Sequence, residues 1–220
     1  MSPRRGSFAA LGGMVGAMSS ALFWLVILGL AVAAILWQRA FPKPFPPWLT
    51  PILDTRFRRR TLSPEVAAER HGIESGMRVL EIGPGHGYLT AAAQRRAGAS
   101  GSLICLDIQP AMLRKLRSTL GESTPPLVCA SGSQLPLRTG SIDLIFLCEV
   151  LGEIPDKEQA FCEFRRVLKP GGTLAVTEAL PDPDYVRSSV LARLARQAGF
   201  EPVVRVGNWL QYTQRLTRSL

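Results

Sequence analysis

A short apolar run, Met77–Ile82 (MRVLEI), breaks off into Gly83-Pro84-Gly85-His86-Gly87, and that junction narrows the possible folds more than any other part of the chain. An apolar run of this length stopped by glycines reads as a buried strand entering a tight turn. The pattern then repeats. Helices are expected over Leu89–Arg96, Pro110–Leu120, Lys157–Leu168 and Val186–Ala198, the last stopped by Gly199. Strands are expected over Leu103–Leu106, Leu127–Cys129, Ile142–Leu147 and Thr173–Thr177, with Val203–Val206 and Trp209–Thr213 as a closing pair. Ahead of the first strand, Ser63-Pro64-Glu65 is a helix start: an N-cap serine, a proline at the first helical position and an acid in the first turn. That helix is expected to end near His71-Gly72. Strands alternating with helices give a mostly parallel sheet covered on both faces. Such sheets hold ligands beyond the carboxyl ends of their strands, where the strand order switches.

The glycine spacing bears on which ligand. Dinucleotide sites use G-x-G-x-x-G, whose third glycine lets the helix approach the strand. Here the glycines are Gly83, Gly85 and Gly87, and Tyr88 stands where the dinucleotide pattern needs glycine. Glu81 lies two residues before the first glycine. An acid there repels a pyrophosphate and welcomes a cationic sulfonium or ammonium. Asp107 closes the second strand, 20 residues past Gly87, where a carboxylate can accept both ribose hydroxyls. A glycine-rich turn alone is weak; with Glu81 and Asp107 in this strand order it is a moderately specific set.

The segments VLEIGPGHGYLT, LICLDIQPAML, SIDLIFLCEVLGEI and RRVLKPGGTLAVTE together resemble class I S-adenosylmethionine-dependent methyltransferases. The likeness is to the broad group containing the ubiquinone/menaquinone-biosynthesis methyltransferases, and it runs over about residues 60–215. It implies an α/β fold, a Rossmann-like doubly wound seven-stranded sheet, with S-adenosylmethionine as cofactor. It implies that Gly83, Gly85 and Gly87 lie under the methionine part, Asp107 on the ribose and Ile108 against the adenine. Many relatives carry an acid for the adenine amino group after the third strand; here Ser131 holds that position. A serine oxygen accepts more weakly than a carboxylate, so lower cofactor affinity is expected.

Methyl transfer from a sulfonium is an in-line displacement in which the protein mainly supplies alignment and electrostatics. The segment after the fourth strand, Cys148–Ile154, should face the methyl group. Its carboxylates Glu149 and Glu153 are the candidate catalytic residues, near the cofactor or as a base. The plainer alternative has Glu149 only accepting a hydrogen bond and Glu153 capping the next helix. His86 stands inside the glycine loop, either near the cofactor or simply solvated. No histidine–cysteine–carboxylate cluster points to a metal, and Cys105, Cys129, Cys148 and Cys162 have no C-x-x-C spacing, so buried reduced thiols are expected.

The formal charge of +9 is uneven. Residues 1–60 carry +7 and residues 61–220 only +2. A nucleic-acid-binding domain would carry the excess on its folded body. Here the excess flanks Phe8–Trp37, 30 residues without a charge. About 20 apolar residues span a bilayer core, so one crossing is expected, over about 18–37. A cleaved signal peptide is the rival, supported by Arg4, Arg5 and Ala31-Val32-Ala33; the apolar stretch is about twice an ordinary signal core, which favours the anchor. The expected organisation is therefore an anchor over 1–40, a proline-rich basic linker over 41–60 and the catalytic domain over 61–220. The basic residues after the span, Arg56 and Arg58–Arg60 among them, place that domain on the cytoplasmic side. An anchored enzyme without a large cap over its pocket fits a lipid-borne acceptor, with a soluble small molecule or a membrane protein as alternatives. A second function class also stands: a membrane-bound scaffold or sensor that binds the cofactor without catalysis, motivated by Ser131. Oligomeric state is not legible.

Overall fold

The structure is a computed structural model, and it describes residues 22–30, 32–33, 62–180 and 182–219. The chain divides into two units at Phe41/Pro42. In the first, residues 22–30 and 32–33 are helical, with exposed apolar side chains such as Trp24 and Leu25. Among the described residues no helix is long and apolar enough to cross a membrane. The transmembrane helix expected over about 18–37 is thus not shown; most of its remainder, with the linker over 41–60, lies outside the described residues.

The second unit is built on one seven-stranded sheet of order β3-β2-β1-β4-β5-β7-β6. Its strands are β1 (Arg78–Ile82), β2 (Ser102–Asp107), β3 (Leu127–Cys129), β4 (Ile142–Cys148), β5 (Leu168–Ala179), β6 (Phe200–Gly207) and β7 (Gln211–Arg218). All neighbours pair in parallel except β7, which runs antiparallel to β5 and β6. The helices are α1 (Pro64–His71), α2 (Thr90–Ala97), α3 (Pro110–Leu120), α4 (Lys157–Val167) and α5 (Ser188–Gln197).

The period of two along the central strands sorts the core into two layers. Leu80 and Ile82 of β1, with Ile145 and Leu147 of β4, face Phe161, Phe164 and Leu191 of α4 and α5. Val79, Leu144 and Phe146 face Ala67, Ala93 and Leu116 of α1–α3 on the other side. Each fully buried Phe or Leu contributes about 1.5–3 kcal/mol, so the two layers together hold the sheet. Helix α1 begins as its sequence requires: the Ser63 hydroxyl accepts from the Val66 N–H at 3.3 Å, and Gly72 closes the helix in the left-handed region.

Three expectations are corrected. Strand β5 starts at Leu168, not Thr173, because a bulge lets it pair with Ile142 before the regular register resumes at Leu144↔Thr173. Trp209 is not in a strand: Asn208 Oδ1 accepts the N–H groups of Leu210 and Gln211 at 2.8 and 3.1 Å, which makes a hairpin turn with Trp209 at its tip. Of the four free cysteines only Cys105 is buried; Cys148 is half-buried, and Cys129 and Cys162 are exposed, Cys129 on the short edge strand β3 and Cys162 on α4.

Candidate functional site

The carboxyl ends of β1, β2, β4 and β5 lie side by side at one edge of the sheet, and the candidate residues collect there. Past β1 the chain turns through Gly83 (φ 68°), Gly85 (φ 58°) and Gly87 (φ 97°), all in the left-handed region that favours glycine. Their reasons differ. A Cβ on Gly83 would lie 2.5 Å from Val150 Cγ2, and one on Gly87 would lie 2.7 Å from Leu116 Cδ1. Gly85 has nothing within 4 Å of the same position, so the backbone there borders open space. Gly83 and Gly87 admit neighbouring side chains, whereas Gly85 leaves room for a ligand. Tyr88, in place of a third dinucleotide glycine, donates its hydroxyl to the Leu62 carbonyl at 2.8 Å and pins the segment before α1.

Asp107 ends β2 and is buried. Its Oδ1 accepts the Gln109 N–H at 2.8 Å, and its carboxylate also accepts from the backbone of Gly85. One carboxylate thus joins the turn after β1 to the turn after β2. Burial raises its pKa, and those two backbone donors act against the rise. Ile108, the next residue, is 51 % exposed, a large apolar side chain available to a flat ring.

Glu81 is 3 % exposed on β1. Burial pushes its carboxyl up to about 7, against the influence of the nearby Thr90 hydroxyl and the Cys105 thiol, and with help from the Asp107 charge. The Cys105 thiol donates to Oε2 at 3.4 Å, while Thr90 Oγ1 is close to it without a hydrogen bond of normal geometry. A buried acid held near neutrality stands ready to ionise beside a cation. No group of histidine, cysteine and carboxylate residues that could hold a metal occurs among the described residues.

Ser131 follows β3, half-buried, and its hydroxyl lies 2.8 Å from Ser133 Oγ and accepts the Ser133 N–H at 3.2 Å. Glu149 directly follows β4 with φ 57°, the one non-glycine residue in the left-handed region among those described. Its N–H is fixed to the Thr177 carbonyl at 2.8 Å. Residues held in that region cluster at functional sites. Glu153 lies on the turn Leu151–Glu153, its N–H bonded to the Val150 carbonyl at 3.0 Å. It does not cap the next helix: Asp156 does, accepting the Gln159 N–H at 2.9 Å.

The part of the site around the end of β5 was not anticipated. Glu178, at the end of β5, is fully buried; Oε2 accepts the Val186 N–H at 3.0 Å, and Oε1 is buried with no hydrogen-bond partner. Burial holds its carboxyl well above the ordinary range, with the charges of Asp182 and Glu149 adding to the effect. Tyr212 and Tyr185 stack edge to face at 6.0 Å and donate to the carbonyls of Val186 (2.6 Å) and Trp209 (2.7 Å). Lys157 Nζ donates to the carbonyls of Gly152 and Ile154 at 2.9 and 2.7 Å, securing the turn that carries Glu153. Leu180, Trp209 and Leu210 are 38 %, 70 % and 45 % exposed, so an apolar rim borders this half of the site. The available signal was Glu178 itself, an acid ending an apolar run.

The arrangement matches known proteins. Residues 80–176 match the methyltransferase domain family. The chain is 37% identical over 111 residues to the ubiquinone/menaquinone biosynthesis C-methyltransferase UbiE of Idiomarina loihiensis, covering 49% of this chain and 44% of that one. Against the protein of the same name from Psychromonas ingrahamii it is 37% identical over 137 residues, covering 57% and 55%. The chain thus spans about half the length of the curated relatives it matches. Among solved structures, a SAM-dependent methyltransferase from Aquifex aeolicus superposes with a TM-score of 0.72 at 22% identity, over 80% of this chain and all of that one. The [4+2]-cyclase SpnF superposes with a TM-score of 0.62 at 18% identity, over 71% and 80%. These two likenesses are of fold.

Proposed function

We propose that the chain is a class I S-adenosylmethionine-dependent methyltransferase that transfers a methyl group from S-adenosylmethionine to an apolar, quinone-precursor-like acceptor drawn from a membrane. The observation that carries this reading is the acidic pair around the glycine turn: Glu81 beneath it, Asp107 bonded across it to Gly85, and open space beside Gly85. That pair of carboxylates fits a cofactor with a positive sulfonium, an ammonium and a ribose, and it repels a pyrophosphate.

When bound, S-adenosylmethionine supplies an activated methyl group on sulfur. The chain's own residues do the rest. Asp107 accepts from the ribose hydroxyls with the lone pairs not given to Gly85 and Gln109. Glu81 ionises as positive charge arrives and offsets it. Ile108 gives the adenine an apolar face. Glu149, fixed by its backbone at the carboxyl end of β4, orients the acceptor or takes its proton, and Glu178 with the two tyrosines closes the far side. The apolar rim and the uncharged stretch Phe8–Trp37 support an acceptor held in lipid, and the names of the curated relatives support a quinone precursor.

The test is calorimetry of the full chain with S-adenosylmethionine, followed by labelled methyl transfer into membranes of the producing cells. Micromolar-range binding and label in the apolar quinone-precursor fraction are expected. No cofactor binding would sink the methyltransferase reading; label only in water-soluble products would sink the membrane acceptor.

A further inference from the structure

At the opposite edge of the sheet from the glycine turn lies a cavity of about 590 Å³, between the carboxyl ends of α4 and α5 and the last residue of β7. Among the described residues its charged lining is Arg165, Arg166 and Arg218, and no acid lines it. Three guanidinium groups around one cavity have unequal engagements. Arg166 is committed: it pairs with Glu163 through Nε–Oε1 at 2.7 Å and Nη2–Oε2 at 2.8 Å, and donates to the carbonyls of Leu135 and Leu137. Arg218 donates one Nη1 hydrogen to the Leu168 carbonyl. Arg165 makes no ion pair or hydrogen bond among the described residues. The Nε atoms of both Arg165 and Arg218 are buried without a hydrogen-bond partner.

A simpler role is available for these arginines, since a cation in the last turn of a helix offsets the partial negative charge of its end. That role accounts for the charge of Arg165 on α4. It does not account for the buried, unpartnered Nε–H groups of two residues that line one cavity, because buried polar groups are otherwise almost always paired. Gly199 lets the Arg165 side chain lie against the backbone beside the cavity: a Cβ there would lie 2.9 Å from Arg165 Nε. The helix ends contribute partial negative charge to the cavity, and two guanidinium groups free of carboxylates outweigh it. Arg presents planar paired donors that match the oxygens of a phosphate.

We infer that this cavity binds a phosphate group, held by Arg165 and Arg218 and walled by the fixed Arg166, on the face of the domain away from methyl transfer. Its volume admits a phosphate together with part of the molecule that bears it, so the source is either a small phosphate metabolite or a phospholipid headgroup. Nothing in the site overlaps the glycine turn, and its occupancy is independent of the cofactor.

The full chain in detergent is titrated with inorganic phosphate and, separately, with monomeric short-chain phosphatidate, at ionic strength held constant with sodium chloride. Saturable binding of one equivalent is expected. Arg165→Gln and Arg218→Gln should each weaken it at least tenfold. Arg165→Lys, which keeps charge and loses the planar fork, should weaken it severalfold. S-adenosylmethionine affinity should be unchanged in all three, which also reports that they fold. Tighter binding of phosphatidate than of inorganic phosphate assigns the site to a headgroup; the reverse assigns it to a soluble phosphate. No saturable binding beyond the chloride background, or equal binding by Arg165→Gln, overturns the inference.

Discussion

The Cys105 thiol donates to Glu81 Oε2 at 3.4 Å across the register pair that joins β2 to β1. The thiol is a weak donor, so its support for the ionised carboxylate does not offset the effect of burial. Glu81 therefore stays near neutrality, titrating at about 7. Cofactor binding should strengthen as pH rises from about 5.5 to 8, because only the ionised acid attracts the cation. Below pH 7 binding should release a proton, visible in calorimetry as an enthalpy that changes with the buffer. Glu81→Gln should flatten both effects. The same shift sets a sign for stability: a carboxyl raised in the fold supports stability below its ordinary pKa and loses that support as pH rises through about 7.

Asp107 has two duties that substitution can separate. Asparagine keeps an oxygen for the backbone N–H groups of Gln109 and Gly85 and removes the charge; alanine removes both. Asp107→Asn should weaken S-adenosylmethionine by about 1.5–3 kcal/mol, the value of charged hydrogen bonds, with little change in melting temperature. Asp107→Ala should also lower the melting temperature. Equal melting losses in the two variants would contradict this division.

Gly83→Ala tests the glycine turn. At φ 68° the substitution costs about 1–2 kcal/mol in backbone energy, and its Cβ would sit 2.5 Å from Val150 Cγ2. Overpacking adds about 1–3 kcal/mol. Adding Val150→Ala should recover the packing part and leave the backbone part, so denaturation of the double variant should fall between wild type and Gly83→Ala.

His71 is buried at 0 % exposure, stacked on Phe146 at 4.8 Å, with Nε2 2.8 Å from Thr177 Oγ1 and Nδ1 unpartnered. Burial pulls its pKa down to about 3. A base kept neutral in the fold and free to protonate when unfolded supports stability above its ordinary pKa of 6.5 and loses it as pH falls towards about 3. The expected slope is up to about 1.4 kcal/mol per pH unit across that window. Urea denaturation at pH 7, 6, 5 and 4 measures it, and His71→Gln should reduce the slope.

The glycine-turn half of the candidate site was legible because its devices are local in sequence. A turn needing left-handed residues shows as glycines, and an acid inside or ending a buried strand shows as Glu81 and Asp107 within apolar runs. The half around Glu178 is assembled from β5, the segment before α5 and the β6–β7 hairpin, which pair only through the antiparallel β7. Glu178 accepts the Val186 N–H, and Tyr212 reaches back 26 residues to donate to the carbonyl of the same residue. No local pattern encodes such contacts. The bulge that lengthens β5 was hidden for a similar reason: Lys169-Pro170-Gly171-Gly172 reads as a break, yet Leu168 finds a partner in Ile142, 26 positions away in the chain. The exposure of Cys129 follows from its place on an edge strand, a property of strand order and not of the residues around it.

The hairpin tip offers the last prediction. Trp209 and Leu210 project from the rim of the acceptor side, 70 % and 45 % exposed, with Leu180 beside them bonded through its N–H to the Leu210 carbonyl at 2.8 Å. The Tyr185 hydroxyl bonded to the Trp209 carbonyl ties the tip to the segment after β5. If the acceptor is drawn from lipid, this rim enters the interface, where aromatic rings are favoured. Burying a Trp or Leu side chain is worth about 1.5–3 kcal/mol, so Trp209→Ser and Leu210→Ser should each lower activity on a membrane-embedded acceptor about tenfold or more. Activity on the same acceptor dispersed in detergent should change little, and cofactor affinity not at all, since neither residue holds the fold or lies at the glycine turn. Equal losses in detergent and in membranes would mean that the rim contacts the acceptor itself. Undiminished activity in membranes would mean that this rim does not enter the interface.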